Sequence, residues 1–280
     1  MNYRSLLVCL DERETRAARV DLAIRLARQF DAHLVGLAPT GRFAVPIDGA
    51  LAVPVPLALE PVWEGLRQRA EAQAQAFREH CGAAGLRSYE AVVDDDETAR
   101  SSVRHGYCSD MVVISQARPG TADHAHAQAA LEQVVMHGAR PTLVLPYVDR
   151  FESIGENALV AWNDSREAAG AIADAMPLLC RAKQVRVLQC STPLESEDER
   201  IPARLEALRR WLMWHGVDAD VRQEVTEIDV GNALLSRAAD LEADLLVMGA
   251  WGHARWTERV LGGATRTLLA SMTLPVLMSH

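Results

Sequence analysis

No apolar run in this chain approaches the roughly 20 residues that a membrane-spanning helix needs. The five cysteines are odd in number, widely separated and include no C-x-x-C pair. That pattern argues against a disulfide framework and for free thiols in a reducing compartment. Positive charge is in short supply: 29 Lys and Arg stand against 38 Asp and Glu, a net charge of -9. An acidic surface of this kind argues against nonspecific binding to nucleic acid and against docking on an anionic membrane. Common catalytic signatures are missing as well, with no Walker lysine motif, no G-x-S-x-G elbow and no H-E-x-x-H pair. No catalytic residue is assigned on that basis. His124 and His126 stand two apart, which is not one helical face, and no third ligand follows nearby, so no metal site is assigned either. The opening segment MNYRSLLVCLDERE turns charged at Asp11, too soon for a signal peptide, and a cytoplasmic location is expected.

What the chain does have is bulk and period. Its 280 residues suffice for two ordinary domains, and a hydrophobic content of 49% supports a packed core. Short apolar runs alternate with amphipathic stretches. Leu6–Leu10, Ala32–Leu37, Ser88–Val93, Asp110–Ser115 and Pro141–Pro146 read as strands. Arg13–Phe30, Pro61–Cys81, Glu97–Tyr107 and Ala125–Gly138 read as helices. Between them, Thr40–Pro61 reads as a long apolar loop in which Pro46, Pro54 and Pro56 bar regular helix. The same order then repeats. LLVCLD corresponds to ALVAWN, DMVVIS to DLLVMG, and GARPTLVLP to SMTLPVLMS. Alternating strand and helix in each copy predicts an α/β fold, a parallel sheet with crossover helices on both faces. The copies are placed at residues 1–148 and 155–280.

The stretch from Leu245 to His280 carries the clearest functional pattern. A doubly buried strand ends at Gly249, Gly252 follows, and Gly262 and Gly263 open a helix that leads to a last strand at Val276–Met278. Vacant N–H groups at Gly263, Ala264 and Thr265 would suit an anion such as phosphate. From spacing alone the same glycines read equally as a tight turn and a helix start.

Gly249, Gly252 and Gly262, separated by two and nine residues, resemble the universal stress protein family, in which a Ser or Thr comes next. Gly263 departs from that pattern, and Thr265 is the candidate replacement for the hydroxyl. The resemblance covers the chain as two copies. It implies two tandem doubly wound parallel five-stranded sheets, each in the order 3-2-1-4-5 with helices on both faces. Ligands of such sheets sit where the strand order reverses, which brings Asn163 and Gly249 to one crevice. The resemblance further implies an adenine nucleotide, ATP with magnesium, held by Asn163, by backbone at Gln189 and Cys190, and by Gly249, Gly252, Gly262, Gly263, Ala264 and Thr265. Arg255, in the glycine loop, could grip a phosphate bidentately or remain a solvated charge. The counterpart loop of the first half has Ser115 and Arg118 in place of glycines, so one nucleotide per chain is expected, in the second half. The family's last strands pair antiparallel across a dimer interface. Here PTLVLP and LPVLM could pair within the chain as a pseudo-dimer, and a homodimer is the other arrangement. The implied function is a nucleotide-responsive regulator in stress adaptation. Two alternatives stand beside it: a scaffold that binds an unidentified protein partner without nucleotide, using the Thr40–Pro61 loop, and a slow ATP hydrolase.

Overall fold

The strands follow from the apolar runs. The computed structural model describes residues 2–11, 16–42, 55–147, 151, 153–251 and 263–280. Among these, the first half contains β1 (Ser5–Cys9), α1 (Arg16–Phe30), β2 (His33–Pro39), α2 (Val55–Ala83), β3 (Tyr89–Asp94), α3 (Thr98–Gly106), β4 (Met111–Ser115), α4 (His124–His137) and β5 (Thr142–Leu145). The second half repeats the order with β6 (Asn157–Ala161), α5 (Arg166–Leu179), β7 (Gln184–Ser191), α6 (Ile201–Trp214), β8 (Ala219–Val225), α7 (Val230–Asp240), β9 (Leu245–Gly249), α8 (Gly263–Ser271) and β10 (Val276–Ser279). A short 3-10 turn, Glu195–Glu197, interrupts the connection between β7 and α6.

Each half is a parallel sheet in the order 3-2-1-4-5, as the family resemblance implied. The two join through β5 and β10, which pair antiparallel with Val276 opposite Val144 and Leu277 opposite Leu143. The result is one sheet in the order β3-β2-β1-β4-β5-β10-β9-β6-β7-β8. Successive residues of a strand point to opposite faces. In β1, Leu6 and Val8 face the layer of α1, α2, α5 and α6, while Leu7 and Cys9 face α4, α7 and α8. In β9, Leu245 and Val247 take the first face, and Leu246 and Met248 the second. Two apolar layers therefore sandwich the sheet, and each runs through both halves. Side chains also stitch the halves together. Gln116 Nε2 donates to the Leu269 carbonyl at 2.8 Å, and the Tyr3 hydroxyl donates to the Asp174 carbonyl at 2.7 Å.

The repeat extends to polar detail. Asp110, ahead of β4, accepts from the N–H groups of Arg4 and Ser5, at 2.6 and 3.0 Å. Asp244, ahead of β9, accepts from the N–H groups of Gly155, Glu156 and Asn157. One carboxylate thus anchors the start of the first strand in each copy.

One expectation needs correction. Helix α2 begins at Val55, so Pro56 lies inside it and Thr40–Pro61 is not all loop. A proline in the first helical turn lacks only an N–H that would have no partner there anyway, and its fixed φ suits the helix. Pro61 sits further in and removes one backbone bond without ending the helix. Residues 43–54 lie outside the described residues. Of the two tryptophans on α6, Trp211 packs on the core, whereas Trp214 is 79% exposed. No described helix is long and apolar enough to cross a membrane.

Candidate functional site

The strand order of the second half reverses between β6 and β9. A cavity of about 440 Å³ opens there, at the carboxyl ends of β6, β7 and β9. Its volume lies within the range of small-molecule sites. Asn163, Cys190, Gly249, Gly263, Ala264 and Thr265 all line it, so six expected site residues from four separate segments meet in one place. Gln189 does not line it. In an extended strand its neighbours Leu188 and Cys190 point the other way, and those two face the cavity. Gly252, Arg255 and Gly262 lie outside the described residues.

Asn163 lies two residues past the end of β6, and its side-chain oxygen accepts from the Ser165 hydroxyl at 2.6 Å. Ser165 in turn caps α5, accepting from the Ala168 N–H at 3.1 Å. The Asn163 oxygen therefore takes part in this turn, and the residue also lines the cavity. Between them, Asp164 adopts φ 58 and is held by Arg204 Nη1 at 2.7 Å. The other arm of Arg204 reaches Asp198 at 3.1 Å, which ties the segment after the 3-10 turn to the turn after β6. The 3-10 turn itself brings Glu195 to the cavity wall.

Gly249 is required for a reason the spacing did not reveal. A Cβ on it would stand 2.6 Å from the Ala168 nitrogen and from the Glu167 carbonyl carbon. The first turn of α5 crosses the end of β9 at that point, so the glycine admits a helix as well as facing the cavity. Thr265 is buried, and its hydroxyl oxygen accepts from the Trp251 N–H at 3.3 Å. This contact fixes the exit of the chain from β9, where Trp251 takes the unusual φ of 49. The Trp251 ring lines the cavity and meets the His280 ring edge-on at 6.3 Å. It borders the cavity without filling it.

Two acids in the cavity wall were not foreseen. Asp229 caps α7, with Oδ1 accepting from the Asn232 N–H at 3.1 Å. Its Oδ2 lies toward the head of α8, 3.6 Å from where a Cβ on Gly263 would stand. The positive end of α8 is thus already faced by a carboxylate. Glu195 accepts from the N–H and hydroxyl of Thr192, both at 2.9 Å, which holds its carboxyl below the usual range. An Asp three residues ahead of an Asn at a helix start is an N-cap signal, and it could have located Asp229. Nothing local marks Glu195. Among the described lining residues there is no Lys, Arg or His. The remaining wall is apolar: Ala161, Leu188, Val230, Leu234 and Met248. Burial pushes the Cys190 thiol up to about 11, with Glu224 adding to the effect, so it stays a neutral thiol near pH 7.

The sequence profile of the universal stress protein family matches residues 119–280. The chain belongs to that family. Solved structures match over nearly its full length. A universal stress protein from Archaeoglobus fulgidus covers 98% of this chain and 95% of its own at 16% identity, with a TM-score of 0.67. A functionally unknown protein from Pseudomonas aeruginosa covers 99% and 92% at 15% identity, TM-score 0.63. A putative universal stress protein from the same species covers 99% and 93% at 17% identity, TM-score 0.60. These likenesses establish the fold and the tandem arrangement. No curated protein matches the chain in sequence.

Proposed function

We propose that this chain is a cytoplasmic nucleotide-responsive regulator in stress adaptation, and that the second-half cavity takes one adenine nucleotide, ATP with magnesium. The observation that carries this reading is the convergence of Asn163 and the head of α8 on one cavity with an apolar opposite wall. A purine would lie along Leu188, Val230 and Met248, with the Asn163 amide as a donor to it. Phosphates would approach the N–H groups at Gly263 and Ala264. The cavity's charge makes the cation essential to this reading. Asp229 and Glu195 repel a bare triphosphate, whereas a magnesium ion on the phosphates lowers that charge and gives the carboxylates a partner. The reading treats residues 1–148 and 155–280 as two modules that form a pseudo-dimer through β5 and β10. A homodimer of whole chains is compatible with it.

Asp229 also favours a second reading. A helix end already faced by a carboxylate has less need of a phosphate, and a scaffold that binds a protein partner without nucleotide would show that feature. Equilibrium titration with a fluorescent ATP analogue separates the two. The nucleotide reading expects saturable binding that requires magnesium and weakens in Asn163→Ala, and in Asp229→Asn the magnesium requirement should lessen because one repelling carboxylate is gone. Absence of saturable binding in both the wild type and Asp229→Asn would favour the scaffold.

A further inference from the structure

The first half holds a cavity of its own, of about 560 Å³, at the carboxyl ends of β1, β2 and β4. It is larger than the second-half cavity, and its chemistry differs in three ways. The head of α4 borders it with Asp123 itself as the N-cap residue, whereas in the second half the helix head is Gly263 and the facing acid, Asp229, comes from the neighbouring α7. Among the described residues, both signs of charge stand in and behind the lining. Asp11 is bound to Arg19 at 2.7 Å, and the fully buried Arg19 also donates to the Ser115 hydroxyl at 2.8 Å. Among the described lining residues, Asp11 and Asp123 stand with Arg69 and His126, whereas the described second-half lining has two acids and no Lys, Arg or His.

The third difference is the roof. Helix α2 has 29 residues where its counterpart α6 has 14. Counted back from the helix ends, Leu66 and Arg69 lie in turns that α6 lacks, and both line the cavity. One turn on, Gln73 also lines it, and its Oε1 is buried without a hydrogen-bond partner. A buried acceptor without a donor is costly, and an occupant bearing an N–H or O–H would relieve that cost. Most of the remaining wall is apolar, from Leu10, Pro39, Ile114 and Ala127.

We propose that the first-half cavity is a second ligand site, for an uncharged and largely apolar molecule that carries an N–H or O–H donor for Gln73. This site is independent of the second-half nucleotide reading.

The test uses the full chain and N-phenyl-1-naphthylamine, a neutral fluorescent amine with one N–H. Its fluorescence should rise saturably at one molecule per chain, and saturating magnesium-ATP should not displace it. Gln73→Leu keeps the shape, removes the acceptor and should weaken binding about tenfold. Leu66→Trp, at the half-exposed rim, should block the cavity, with thermal unfolding midpoints confirming that both variants fold. Absence of saturable binding, displacement by ATP or wild-type affinity in Gln73→Leu would overturn the proposal. A failure of ATP to bind anywhere would leave these readouts standing, so the two sites fail separately.

Discussion

Gly249 illustrates how a correct residue can carry an unforeseen reason. Its place after an apolar strand was visible in the sequence, but the helix turn that forbids a side chain there comes from α5, far upstream. Backbone atoms of Glu167 and Ala168 cannot swing aside as a flexible side chain can. Gly249→Ala should therefore lose about 1–3 kcal/mol of stability, measured by denaturant unfolding, as overpacking of a tight core does. An unchanged midpoint would show that α5 can shift. Asp174 gives a test with a defined sign. Burial pushes its carboxyl up, and the Ser279 hydroxyl and Arg140 pull it only part of the way back. A raised folded-state pKa means that the protonated form is favoured by folding. Its contribution is present below the usual carboxylate range and is lost as pH rises through the folded value. Asp174→Asn, which mimics the protonated group, should raise the melting temperature at pH 7, and the gain should vanish near pH 3. A gain of equal size at both pH values would contradict the assignment. Neither the Asp174–Ser279 contact nor the Arg19 bridge between Asp11 and Ser115 could be read beforehand, because each joins residues distant in sequence.

Elements were more legible than contacts. Apolar runs located the central strands, because strands buried on both faces leave a continuous hydrophobic signature, whereas the edge strands β3 and β8 are only partly buried. Ser165 is the N-cap of α5. Asp164 instead takes a left-handed φ and an ion pair with Arg204. The start of α2 was misjudged because prolines near a helix start look the same in sequence as prolines that end one. At this scale the junction of β5 and β10 matters most. Leu277 is fully buried and faces Leu143 across the antiparallel ladder. Leu277→Ala should cost about 2–5 kcal/mol, the range for buried leucines. Calorimetry should show the whole transition moving down as one, since both apolar layers cross the junction. Two separated transitions, with only one displaced, would show that the halves fold independently.

For the molecule as a whole, the internal repeat carried most of the information. Matched pairs such as DMVVIS and DLLVMG made the doubled architecture readable, and Asp110 and Asp244 keep the same anchoring task in both copies. The copies diverge at their cavities. Asn163 joins a turn with Ser165 in the second half, whereas Asp11 is held by a buried arginine in the first. Side chains from the far ends of several elements, such as Glu195 and Gln73, complete each cavity, and no spacing rule announces them. The most direct test of the division of labour is hydrogen–deuterium exchange with and without saturating magnesium-ATP. Protection should concentrate at residues 161–165 and 263–267, with none at 9–11 or 123–127. Protection at the first-half segments, or at neither set under saturating nucleotide, would contradict a nucleotide site built on Asn163 and the head of α8.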